Sequence, residues 1–245
     1  MPFTFSHPAI VLPLSKLPKN WISLTGLVIG SMTPDFEYFL RMQVKSSYSH
    51  TIDGLFWFDL PLGILLAFVF HNLVRNRLFD QLPLFFKSRF SGFKDFDWNS
   101  HFKKNWPIIL ISILIGAASH LLWDSFTHQT GYFVQLIPVL TKTVEIFHIQ
   151  IPAFKILQHS SSLIGGIFIV FVIFKMPADK SLSSNINPKY WLIFSVITIL
   201  IVLIRILTGL SIRSYGNLIV TGISAVLISL ILTSILISNP NEKQN

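Results

Sequence analysis

Trp106–Gly131 reads WPIILISILIGAASHLLWDSFTHQTG. The stretch opens as an apolar helix long enough to cross a bilayer, which takes about 20 residues at about 1.5 Å each. It ends by presenting His120, Asp124 and His128. A helix turns about 100° per residue, so positions four and eight further on lie about 40° and 80° round from the first. A helix that persists to His128 therefore carries one polar stripe on an apolar rod. Three such side chains in or beside hydrocarbon are costly in isolation, and a shared metal ion is the simplest compensation.

Composition sets the class. The 245-residue chain is 51% hydrophobic and only 12% charged, about half the charge of a soluble domain, and its mean hydropathy is +0.61. The expected fold is all-α: a polytopic membrane bundle of about five full spans plus a short or re-entrant N-terminal helix. There is no cysteine, so any transition metal must be held by His, Asp or Glu. The net charge of +8 sits mostly in loops beside spans, where it sets topology next to anionic lipid; no nucleic-acid partner is expected. The N-terminus lacks a cleavable signal pattern, and Pro2 excludes myristoylation.

Taken in order, residues 1–20 are apolar and broken by prolines, with a short helix beginning after Ser6 and Pro8 at a tolerated first-turn position. Trp21–Met32 is too short for the roughly 30 Å hydrocarbon core and reads as a buried or re-entrant helix. Thr33 then fits an N-cap, Pro34 the first helical position, and Asp35 and Glu37 the acidic first turn. Full spans are expected at Leu55–Val74, from Trp106 onward, and at Ile156–Lys175, Tyr190–Leu210 and Asn217–Ile237. This divides the chain into a site-bearing membrane domain (1–175), a polar connector (176–189) and a two-span anchor or oligomerisation unit (190–245), with Gly209, Gly216 and Gly222 free for close packing.

Topology gathers the polar groups. Residues 75–105 carry Arg75, Arg77, Lys87, Arg89, Lys94, Lys103 and Lys104 against Asp80, Asp95 and Asp97, and the positive-inside rule places that loop in the cytoplasm. His50, the trio His120, Asp124 and His128, and the pair Gln158 and His159 then all fall toward the extracytoplasmic end. His71 lies at the far end of its span, His101 in the basic loop and His148 in a loop without a partner pattern; all three read as structural. Ser160, Ser161 and Ser162 read as small packing residues.

Imidazole and carboxylate without thiolate suit zinc, manganese or iron. Such an ion makes hydroxide available near neutral pH and polarises a phosphoryl or carbonyl oxygen, so a metal-bound water is the expected nucleophile, with no protein nucleophile required. Two alternatives remain open from the residues alone. In one, the stripe only hydrogen-bonds neighbouring helices; in the other, it relays protons in an ion-coupled transporter.

FTFSHPAIVLPL, GSMTPDFEYF, SHTIDGLFWFDLPLG, GAASHLLWDSFTHQTG and LQHSSSLIGG, in that order across roughly residues 1–175, resemble a bacterial family of integral membrane proteins known as domain of unknown function 4184. More distantly, the early His, the PD turn and the HxxxD helix resemble the membrane-bound metal-dependent hydrolases and the fold of zinc-dependent phospholipase C and S1/P1-type nucleases. That wider resemblance implies a zinc cluster with His7, Asp35, His50, His120, Asp124 and His128 as ligands. The soluble enzymes end with a His and a Glu four residues apart; His159 is taken as a further candidate metal ligand, but Leu163 stands four residues after it, which leaves the number of metals open. The resulting expectation is a multi-pass protein of the bacterial inner membrane, using a divalent metal, zinc first, to hydrolyse a phospholipid or other phosphoester, with homo-oligomerisation through its last two spans.

Overall fold

The computed structural model describes residues 3–18, 20–94, 96–183 and 185–237; Asp95, counted above in the basic loop, lies outside them. Among the described residues, five helices are long and apolar enough to cross a membrane. After the short helices α1 (Pro8–Val11), α2 (Leu24–Gly30) and α3 (Phe36–Arg41) come α4 (Ile52–Gln81) and α5 (Trp98–Thr127). A two-stranded antiparallel hairpin, β1 (Thr143–Ile146) and β2 (Ile149–Pro152), then leads into α6 (Ala153–Lys175). The chain closes with α7 (Pro188–Leu207) and α8 (Tyr215–Leu236). The helical membrane class is as expected; the hairpin is an addition, and its turn puts Phe147 and His148 at φ 51° and 63°.

The chain clusters into two compact units. The first comprises Met1–Asp35, Ser47–Leu65 and Phe102–Lys175. Its interior is built on the face of α5 that carries Ile109, Ile113, Ala117 and His120, all fully buried. These positions recur at helical spacing, so one face runs from apolar packing into the polar stripe. Helix α2 lies against it almost backbone to backbone. A Cβ on Gly26 would stand 2.8 Å from the Ile109 carbonyl oxygen, and one on Gly30 would run into the Ile113 backbone. Small residues four apart allow this approach. The contact fixes where the chain leaving α2 enters the bundle.

One expectation needs correction here. Thr33 does not cap a helix: its hydroxyl donates to the Gly30 carbonyl (2.7 Å), and it opens a 3-10 turn, Thr33–Asp35, closed by the Asp35 N–H on the Met32 carbonyl (3.1 Å) before α3 begins. The preceding helix, α2, is the one with a side-chain cap: Ser23 Oγ accepts from the Gly26 N–H. The N-terminal segment docks on α6. Ser6 donates to the Ser162 carbonyl (2.8 Å), the Phe3 N–H donates to Ser162 Oγ (3.0 Å), and Trp123 Nε1–H donates to Ser161 Oγ (3.0 Å). The serines of α6 are packing groups in this arrangement.

The outer faces of the spans are apolar. On α6, Leu163, Ile164, Ile167, Val170, Phe171 and Phe174 are all exposed, as expected where hydrocarbon is the solvent.

The second unit comprises Phe36–Ser46, Leu66–His101 and Met176–Asn245. Here Ser224 on α8 donates to the Phe39 carbonyl (2.8 Å), and Glu37 pairs with Arg41 at 2.8 Å. His71 stacks on Trp98 (centroids 4.5 Å apart) and accepts from Arg75, which also donates to the carbonyls of Phe96 and Lys94. Arg75 thus ties the chain together with its histidine neighbour in a structural role. Gly209 sits at φ +105° just past α7, a conformation that favours glycine.

Candidate metal centre

All six residues His7, Asp35, His50, His120, Asp124 and His128 meet within the first unit, although they come from four separate stretches of chain. His7 precedes α1, held by the serine contacts to α6. Asp35 ends the turn after α2, carried in by the glycine contact. His50 lies just before α4. His120 and Asp124 stand one turn apart on α5, and His128 follows its last residue, with the His128 N–H still bonded to the Asp124 carbonyl (3.0 Å).

His50 and His120 present Nε2 to both carboxylates, and His7 presents Nε2 to Asp124. Asp124 Oδ1 lies 3.4 Å from His7 Nε2 and 3.5 Å from His128 Nδ1. Asp124 Oδ2 lies 3.4 Å from His120 Nε2 and 3.6 Å from His50 Nε2. Asp35 Oδ1 lies 3.5 Å from His50 Nε2 and 3.6 Å from His120 Nε2. His7 and His120 are stacked with centroids 3.8 Å apart. Two overlapping groups, His7–Asp35–His120 and His50–His120–Asp124, have ligand atoms close enough to hold a metal ion. His120 belongs to both, and its one inward nitrogen serves one ion at a time.

The far sides of four of these side chains, His7, Asp35, His50 and His120, are already fixed. His120 Nδ1–H donates to the Ser31 carbonyl (2.8 Å) and His7 Nδ1–H to the Thr4 carbonyl (3.3 Å), which leaves each Nε2 lone pair facing the cluster. His50 Nδ1 bonds Ser49 Oγ (2.9 Å). Thr4 Oγ1 donates to Asp35 Oδ2 (2.5 Å), so Oδ1 is the oxygen turned inward. This is the supporting pattern that metal-ligating histidines and carboxylates adopt.

Burial makes the inward atoms costly without a cation. His7 and His120 are fully buried, and Asp35 and Asp124 are 1% and 7% exposed. Asp35 Oδ1, Asp124 Oδ2 and His120 Nε2 are buried with no hydrogen bond, a loss that ordinarily amounts to about 1–3 kcal/mol per group and more for a charged one. Ligands about 2.0–2.1 Å from a tetrahedral zinc ion stand about 3.3–3.4 Å apart, close to the separations above. These groups could hold a metal ion.

The electrostatics agree. Burial alone would raise the Asp35 carboxyl, but the imidazoles of His120 and His50 outweigh it and hold it below the usual carboxylate range. Burial lowers His7, with the adjacent His120 adding to the effect and Asp124 opposing it. For His50, burial is outweighed by Asp124 and Asp35, which raise it.

His159 stands outside the group. The buried face of α6 carries Phe154, Gln158 and Gly165; His159 is one residue, about 100°, further round, and is exposed. His148 sits at the hairpin tip with its side chain 98% exposed. One carboxylate that the sequence reading passes over is Asp59, fully buried at the end of a π-helical segment, Leu55–Asp59, in α4. Its signal was an acidic residue within an apolar span. Thr4, Ser31 and Ser49, which orient the ligands, carry no comparable sequence signal.

The family described as domain of unknown function (DUF4184) matches residues 1–235. The chain belongs to that family. The match takes in the metal-type cluster and all five candidate spans except the last residue of α8. No curated protein and no solved structure matches the chain.

Proposed function

We propose that the protein is a membrane-embedded, metal-dependent hydrolase whose substrate is a lipid or other phosphoester, reached from the extracytoplasmic face of the bacterial inner membrane. The observation that carries this reading is the convergence of His50 and His120 Nε2 on Asp35 and Asp124 and of His7 Nε2 on Asp124, with the opposite atom of each imidazole already bonded. When bound there, a zinc-type cation supplies Lewis acidity, polarising a phosphoryl oxygen and making hydroxide available near neutral pH.

The protein's own groups do the rest. His120 and Asp124, buried on α5, fix the position of the cation. Asp35 and His7, oriented through Thr4, close the inner side. His50 and His128, each half-buried, form the outer side, where a substrate enters. His128 also reaches Asp124 Oδ1 and stands where it can hold or release a proton at the leaving oxygen.

The test is turnover. Protein reconstituted in liposomes and loaded with zinc or manganese is expected to hydrolyse a lipid phosphoester or a generic phosphoester, and Asp124→Asn is expected to lose this activity with the metal. A folded, metal-loaded protein without phosphoester hydrolysis overturns the enzymatic reading. A folded protein that takes up no metal but conducts protons across the liposome favours the relay instead.

A further inference from the structure

The second unit holds a polar cavity that the metal chemistry does not use. It has a volume of about 320 Å³ and forms where α7 ends and α8 begins, lined by Gln43, Arg205, Thr208, Ser211, Ser214 and Asn217 among others, with no carboxylate among the described residues of its wall. Arg205 lies in the last turn of α7. Its Nε is buried without a hydrogen bond, and among the described residues no acidic group pairs with it. A guanidinium at a span end normally finds a carboxylate, a carbonyl or open water.

The remaining wall is rich in donors. The Val44 N–H donates to Asn217 Oδ1 (2.8 Å), which orients that carboxamide and leaves its NH₂ group for another partner. Ser214 precedes the 22-residue α8 without a side-chain capping bond, so the cavity also borders the unsatisfied N–H groups of that helix's first turn. A cation with a buried, unbonded Nε, an amide donor, rotatable hydroxyls and no acid among the described lining residues together match an anion with several acceptor oxygens.

We propose that this cavity binds a phosphate-type oxyanion, with Arg205 as the principal ligand and Asn217 and Ser211 completing the shell. The anion is either the phosphate of a lipid headgroup, since span ends lie at headgroup depth, or free inorganic phosphate.

The test uses the full chain in EDTA, so that the His/Asp cluster contributes nothing. In one arm, inorganic phosphate is titrated into protein in neutral detergent and thermal unfolding is followed. In the other, native mass spectrometry counts phosphatidylglycerol retained from mixed phosphatidylglycerol–phosphatidylcholine nanodiscs. Wild type is expected to bind one of the two probes at least about tenfold more tightly than Arg205→Gln, while Arg213→Gln, outside the cavity, behaves as wild type. A phosphate-dependent rise in Tm assigns the site to the free anion; lipid retention that phosphate does not displace assigns it to the headgroup. Equal binding by wild type and Arg205→Gln in both arms overturns the proposal. If Arg205→Gln does not fold, Ser211→Asp, which adds a carboxylate at an exposed loop position, carries the test: binding must fall at least about tenfold, and undiminished binding overturns it.

Discussion

Thr4→Val isolates the support of one ligand from the ligand itself. Thr4 is 2% exposed, and its hydroxyl donates to Asp35 Oδ2 at 2.5 Å. Valine keeps the β-branched shape and removes only that donor. Asp35 then loses a charge-assisted bond, a change of about 1.5–3 kcal/mol. Its Oδ1 is no longer held toward His50 and His120. Loss of such a partner typically weakens metal affinity about 10–100-fold, or about 1.4–2.7 kcal/mol, so the two routes agree. The assay is competition for zinc against a chelator of known affinity, in detergent, with circular dichroism to verify folding. Thr4→Ser, which restores the hydroxyl, should recover most of the affinity. Wild-type affinity in a folded Thr4→Val protein would refute the assignment of Asp35 as an oriented ligand.

Other consequences follow from the same geometry. His159→Ala should leave metal content unchanged, because the side chain is exposed and outside the cluster; loss of metal on elemental analysis would contradict the register of α6. Gly30→Ala places a Cβ against the Ile113 backbone and should destabilise by about 1–3 kcal/mol, lowering Tm and loosening metal binding together. Zinc affinity should rise with pH over the range in which His50 titrates, about tenfold per unit for each proton released, since its raised value means that binding displaces a proton. In metal-free protein the signs are opposite at the two ends. The raised His50 contributes stability that is complete below its unfolded value of about 6.5 and is lost as pH rises through the folded value. The depressed Asp35 contributes stability present above about 3.8 and lost as pH falls through its folded value. Thermal unfolding across pH in EDTA checks both.

How much of this was legible depended on whether the signal was local. The stripe His120, Asp124 and His128 lies on one helix, so its spacing alone placed the groups together. His50 joined them through loop charge and topology. His7 and Asp35 came only through family resemblance, because their positions depend on tertiary contacts: the serines of α6 for His7, and the close approach of α2 to α5 for Asp35. His159 failed because topology assigns an end of a span but not a face, and a single residue of helical rotation separates it from buried Gln158. The Thr33 cap failed because a hydroxyl can satisfy the preceding carbonyl as readily as a following N–H. The hairpin at 143–152 carries alternation (Val144 and Ile146, then Ile149 and Ile151), but over strands of only four residues each, largely exposed, it is too short to mark a strand pair.

The most direct measurement is elemental analysis of the full-length protein, purified in detergent after growth with zinc, manganese and iron, beside His120→Gln. His120 is shared by both ligand groups, so the account predicts near-stoichiometric metal in wild type and its loss in the variant, with both folded. Well-folded wild type that carries no metal, or a variant that keeps all of it, would contradict the account.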